Sequence, residues 1–146
     1  MKFLEESLVA LDVEVQTPEE AIAAAGGLLV DTELIEGRYV EAMIDSYHEN
    51  GAYFVLAPHI ALPHSRPEDG VNEACVSFVR LKNDVKFGHD TNDPVRLVFV
   101  LGASTSDEHL RILQKLMELI GNPDNVDKLL QVDDYEEIKK LIGGTE

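Results

Sequence analysis

The stretch HIALPH, residues 59–64, brackets an apolar run with two of the chain's five histidines. Pro58 stands before it and Pro63 lies inside it. A neutral imidazole is nucleophilic near pH 7 and can accept a phosphoryl group. Proline fixes its own φ at about −65° and drives the residue before it to extended geometry. The segment between the two prolines is therefore expected to be stiff and extended. Ile60 and Leu62 should point one way, Ala61 and Pro63 the other. His64 would leave that segment at a fixed place, and fixed placement supplies much of the rate in group transfer. A hydrogen-bonded corner histidine fits the same residues, so the pattern by itself leaves both readings open.

His109 stands where VRLVFVLGAST runs into a helical pattern that Thr105 or Ser106 can cap. Ile112, Leu113, Leu116 and Ile120 follow it at helical spacing, which puts His109 on the apolar stripe facing the sheet. A helix start also offers N–H groups and positive potential to an anion. A core histidine bonded to a carbonyl is the competing reading. If His109 converges with His64, a second imidazole is available to neutralise phosphoryl oxygens, the main task in such transfer. Arg66, two residues past His64, is the nearest guanidinium. No Walker-type glycine loop is present, so a nucleotide donor and a cofactor are not expected. Metal binding is not expected either. His59 and His64 lie five apart across Pro63, the wrong spacing for one helical face, and no HExxH or cysteine pair accompanies them.

These residues need elements to hold them. Alternation in Leu8 to Val15 predicts a first strand. Thr17, Pro18 and Glu20 read as cap, first helical position and capping box of a helix that Gly26-Gly27 ends or weakens. A second helix runs through GRYVEAMIDSYHENG, with Tyr39, Met43, Ile44 and Tyr47 on one face and Gly51 as C-cap. AYFVLA, ACVSFVRL and VRLVFVLGA read as strands, the last continuously apolar after Arg96 as if covered on both faces. Asn83-Asp84 and Asn92-Asp93-Pro94 carry turn chemistry. From Ser106 to Gly144 the pattern is helical, in three pieces. Strands in the middle with helices at both ends predict an α/β sandwich, a single mixed β-sheet flanked by helices, with residues 1–146 as one domain.

The balance of 28 acidic against 12 basic residues gives a formal charge of −16. Phosphate backbones and anionic lipid are repelled by such a field, so neither nucleic acid nor a membrane surface is an expected partner, whereas a basic protein surface is attracted. Cys75 is the only cysteine, which rules out an intramolecular disulfide and reads as a buried structural residue. The N-terminus carries acids where a signal peptide needs an apolar run, and no stretch is long and apolar enough to span a bilayer. The expected location is the cytoplasm.

GAYFVLAPHIALPHSRPEDGV, VSFVRLKNDVKFG, NDPVRLVFVLGAS and DEHLRILQKLMELI together resemble the EIIA component of the bacterial phosphotransferase system. The resemblance is to the mannitol/fructose-type (type 2) superfamily and its ascorbate-like branch, and it spans nearly the whole chain. It implies a mixed sheet flanked by helices and a cytoplasmic phosphocarrier for sugar uptake. His64 matches the phosphohistidine, which takes a phosphoryl group from phospho-HPr and passes it to a cysteine of an EIIB partner. The membrane component EIIC would be reached only indirectly. His109 matches the second histidine of the site. Where the mannitol branch has arginine and glutamate, sixteen residues before the phosphohistidine, this chain has His48-Glu49, so a third imidazole is expected in place of a guanidinium. His59 replaces the family's usual glycine. Related domains also serve in regulators, so a phospho-acceptor acting through protein partners rather than transport is the alternative expectation.

Overall fold

In the computed structural model, which describes residues 1–143, the chain runs through five strands and five α-helices. These are β1 (Lys2–Phe3), β2 (Val9–Val13), α1 (Pro18–Asp31), α2 (Gly37–Asn50) and β3 (Ile60–Ala61). Then follow β4 (Cys75–Val85), β5 (Val95–Gly102), α3 (Ser106–Ile120), α4 (Pro123–Gln131) and α5 (Tyr135–Gly143). β4 and β5 pair antiparallel at the centre of the sheet. β1 and β2 both lie parallel to β4, and β3 lies parallel to β5. The sheet is mixed and flanked by helices, as the sequence predicts.

Alternation along the central strands divides the core. Val79, Val98 and Val100 join the apolar cluster that includes α1 and α2. Phe78, Leu97, Phe99 and Leu101 join the one that includes α3, α4 and α5. Phe78 and Phe99 stack with ring centroids 4.7 Å apart, a cross-strand pair that fixes the register of β4 on β5. Two polar side chains are buried in β4, and both are satisfied. Ser77 donates to the Ala25 carbonyl at 2.7 Å, and Arg80 donates to Asp12 and to the carbonyls of Leu129 and Val132.

The helix starts follow the sequence signals. Thr17 Oγ1 accepts the Glu20 N–H at 3.1 Å with Pro18 in the first turn, and Thr105 Oγ1 accepts the Glu108 N–H at 3.1 Å. Gly26-Gly27 do not end α1. Gly26 is the contact with α2: a Cβ there would lie 2.8 Å from Val40 Cγ2, so only hydrogen fits.

Several expectations fail for identifiable reasons. AYFVLA is not a strand. Val55 N–H bonds Ala52 O within a turn, so Phe54 and Val55 reach the core without a ladder while Tyr53 and Leu56 are exposed. The segment after Pro58 is not extended throughout: His59 has φ +70°, and Ile60 N–H closes a turn onto Ala57 O at 3.0 Å. Only Ile60 and Ala61 form strand, yet beyond the turn the predicted alternation holds, with Ile60 and Leu62 in one cluster and Ala61 in the other. Asn83-Asp84 is no turn, because β4 continues to Val85 through a register shift after Arg80. A 3-10 turn at Glu6–Leu8 takes the start of the first predicted strand, which spans only Val9–Val13 and is bulged around Asp12, at φ +56°. The β1 pairing was not foreseen, and Gly144 lies outside the described residues.

Candidate active site

The site lies where β3 and β5 end side by side. Beyond β3, Pro63 O accepts the Leu101 N–H at 3.4 Å, so the chain is still tied to β5 one residue before His64. His64 Nδ1 lies 2.9 Å from the carbonyl oxygen of Leu62. A carbonyl only accepts, so Nδ1 carries the proton and the lone pair of the neutral ring is on Nε2. β5 meanwhile ends at Gly102, and three further residues lead to α3. His109 sits in the first turn of α3, its N–H donating to Thr105 O at 3.0 Å. The two rings meet edge to face, with centroids 5.5 Å apart and planes at 65°. Both are half-buried. Burial, and then the neighbouring His64, hold the His109 imidazole below its usual pKa, so it is neutral at pH 7.

The pair opens onto a cleft of about 620 Å³. Ser65, Arg66, Asp69, Asp45, Glu49 and Tyr53 are among its lining residues. Arg66 is largely exposed and lies between two carboxylates, 3.7 Å from Glu68 and 3.8 Å from Asp69. Asp69 closes the turn after His64. Its Oδ2 accepts from the Ser65 hydroxyl and from the Arg66 N–H at 3.2 Å, and those bonds, the hydroxyl's first, hold its carboxyl below the usual range. The cleft wall is thus more acidic than a phosphoryl site would suggest.

Of the expected site residues, His64, His109, Arg66 and Glu49 come together at this cleft. His48 does not. Its Nε2 bonds Glu19 Oε2 at 2.7 Å, which in turn holds the Glu19 carboxyl below its usual range. Successive residues on a helix point about 100° apart, so one of the pair faces the cleft while the other reaches α1. His59 bonds Pro94 O through Nδ1 at 2.8 Å and does not line the cleft. Cys75 is buried, with its thiol pushed up to about 12, and offers no thiolate for chemistry. The sequence reading missed Ser65 and Asp69, although SRPED carries a 3-10 start signal in Pro67 and Asp69. It named Tyr39 only as a core residue. The Tyr39 hydroxyl accepts the Ser65 N–H at 2.8 Å and donates to Leu101 O at 2.8 Å.

Residues 2–144 match the family model for the phosphoenolpyruvate-dependent sugar phosphotransferase system, EIIA 2. The chain belongs to that family. It is 34% identical over 142 residues to the ascorbate-specific EIIA component of Escherichia coli K12, covering 97% of this chain and 92% of that protein. Among solved structures, the cryptic mannitol-specific enzyme IIA of Escherichia coli superposes with a TM-score of 0.86 at 31% identity, over 95% of this chain and 94% of that one. The Escherichia coli mannitol enzyme IIA, solved in complex with phosphorylated mannitol enzyme IIB, superposes at 0.84 with 30% identity, over 97% and 99% of the two chains. The mixed sheet between helices is therefore the EIIA fold, and phosphoryl transfer is the family's activity. Among the described residues no helix is long and apolar enough to cross a membrane.

Proposed function

We propose that this EIIA is a cytoplasmic phosphocarrier in which His64 Nε2 accepts a phosphoryl group from phospho-HPr and yields it to a cysteine of an EIIB partner. The observation that carries the reading is the bond between His64 Nδ1–H and Leu62 O, which leaves Nε2 as the nucleophile beside a second imidazole.

In the first step the Nε2 lone pair attacks phosphorus, the P–N bond of the donor breaks, and its electron pair returns to the donor imidazole. The His64 ring gains positive character, which the Leu62 carbonyl stabilises through Nδ1–H. In the second step an EIIB thiolate attacks, the P–Nε2 bond breaks, and the pair returns to Nε2. No net proton is consumed by His64 across the cycle. His109, neutral at pH 7, donates one N–H to a phosphoryl oxygen, and Arg66 supplies positive charge at the rim. Asp45 and Glu49 face the incoming protein, and their charge favours a basic docking surface. His48 has no part in this reading. The sugar is chosen elsewhere in the system, since the carrier contacts only proteins.

The test is NMR on protein phosphorylated through enzyme I and HPr and labelled with nitrogen-15. Coupling of phosphorus to Nε2 of His64 is the expected result; coupling to Nδ1, or to another histidine, contradicts the reading.

A further inference from the structure

We infer that Tyr39 is a positioning residue for phosphoryl transfer, holding the His64 arm and the His109 arm of the site in register through its buried hydroxyl. The inference rests on the function proposed above and adds to it a residue that does not touch the phosphoryl group.

Tyr39 is fully buried in α2, a helix that carries neither His64 nor His109. Its oxygen accepts from Ser65 N–H, directly after His64, and donates to Leu101 O, one residue before β5 ends. A second approach, 3.2 Å to Ser65 O, keeps the same oxygen against both backbone polar groups of Ser65. The backbone bond between the two arms nearest the site, Leu101 N–H to Pro63 O, is long at 3.4 Å. Past it the His64 arm has no ladder, so the hydroxyl supplies the link that the sheet stops providing. Burial pushes the phenol above its usual pKa, so the link stays intact through the physiological range. A ring displaced by about 1 Å is enough to cost about 10²-fold in a reaction that depends on alignment.

Tyr39→Phe keeps the ring in the core and removes only the hydroxyl. Ser77→Ala is the matched comparison, because it also removes one buried hydroxyl bond, to Ala25 O, within the fold but outside the site. Both are measured well below their melting temperatures, for transfer from phospho-HPr and for the imidazole nitrogen-15 shifts of His64 and His109. Tyr39→Phe is expected to lower the transfer step about 10-fold or more with the half-saturating donor concentration unchanged, and to move both rings' shifts; Ser77→Ala does neither. Equal rates in Tyr39→Phe and wild type, or equal losses in both variants, would overturn the inference while wild-type labelling at His64 kept the phosphocarrier reading intact. Absence of label from wild-type protein would sink that reading instead, and this inference with it. Should Tyr39→Phe not fold, amide exchange in the wild-type protein decides: the Ser65 N–H must exchange about 10²-fold slower than a free loop amide, and exchange at the free-loop rate overturns the link.

Discussion

His64 and His109 meet edge to face at 5.5 Å although one follows β3 and the other opens α3. β3 and β5 are parallel neighbours, so the segments that leave their C-terminal ends emerge on the same side. Two imidazoles 45 residues apart in sequence become one site because of that single pairing.

Replacing His109 separates a catalytic pair from a packed corner. His109→Ala should still be labelled at His64, with transfer slowed by about 10²–10³, the usual effect of losing one such donor. His109→Gln keeps a donor and should be milder. Stopped-flow transfer rates measured below the melting point check this. Rates equal to wild type in both variants would leave His109 a core residue.

The same side chain predicts a pH dependence of stability. Its folded pKa lies below the ordinary value of about 6.5, with burial first and His64 second as causes. The unfolded chain then binds the proton more readily, so stability is fully present above about pH 6.5 and falls as pH drops toward the lowered folded value. Denaturant titrations at pH 7.5 and 5.5 should show a smaller loss in His109→Gln than in wild type. Identical losses would mean that the ring is free to protonate in the folded state.

Acids around the cleft should act on encounter. Asp45 and Glu49 line it, and the chain's net charge is −16. Asp45→Lys combined with Glu49→Lys should lower the association rate with phospho-HPr several-fold and flatten its salt dependence. The transfer step within the complex should change little. A faster association would mean that the donor presents an acidic face here.

Gly26 should be intolerant of a side chain. Gly26→Ala places a carbon 2.8 Å from Val40 Cγ2 and 3.3 Å from Met43 Cε, between two helices. The helical preference of alanine is worth up to about 1 kcal/mol, while overpacking costs about 1–3 kcal/mol. A net loss of about 1 kcal/mol is expected in urea unfolding, with transfer per folded molecule unchanged. A stabilised variant would show that α1 and α2 slide apart easily.

How much of this was legible in the sequence follows from the range of each signal. Helix starts rest on contacts three residues apart, so Thr17 and Thr105 announced themselves. The central strands were legible because both faces are buried over most of their length, which leaves runs that are apolar but for Ser77, Arg80 and Arg96. AYFVLA misled because burial without a ladder leaves the same composition: Phe54 and Val55 are core residues of a turn. His64 and His109 stood out by type and by their place at element ends. Tyr39 could not stand out, since its hydroxyl partners lie 26 and 62 residues away and a tyrosine on an apolar helix face reads as packing. His48 misled through spacing, because a match in sequence position does not fix which way a helix turns the ring. Glu19, on another helix, decides that.

The central claim is that His64 is the acceptor, and one experiment reaches it directly. Wild-type protein, His64→Ala and His59→Ala are incubated with phosphoenolpyruvate, enzyme I and HPr, and the phosphate is mapped by mass spectrometry under conditions that preserve phosphohistidine. The account predicts label on His64 in wild type and in His59→Ala, and none in a folded His64→Ala. Label retained at the wild-type level in His64→Ala, or mapped to His48, His59 or His109 in wild type, would contradict it.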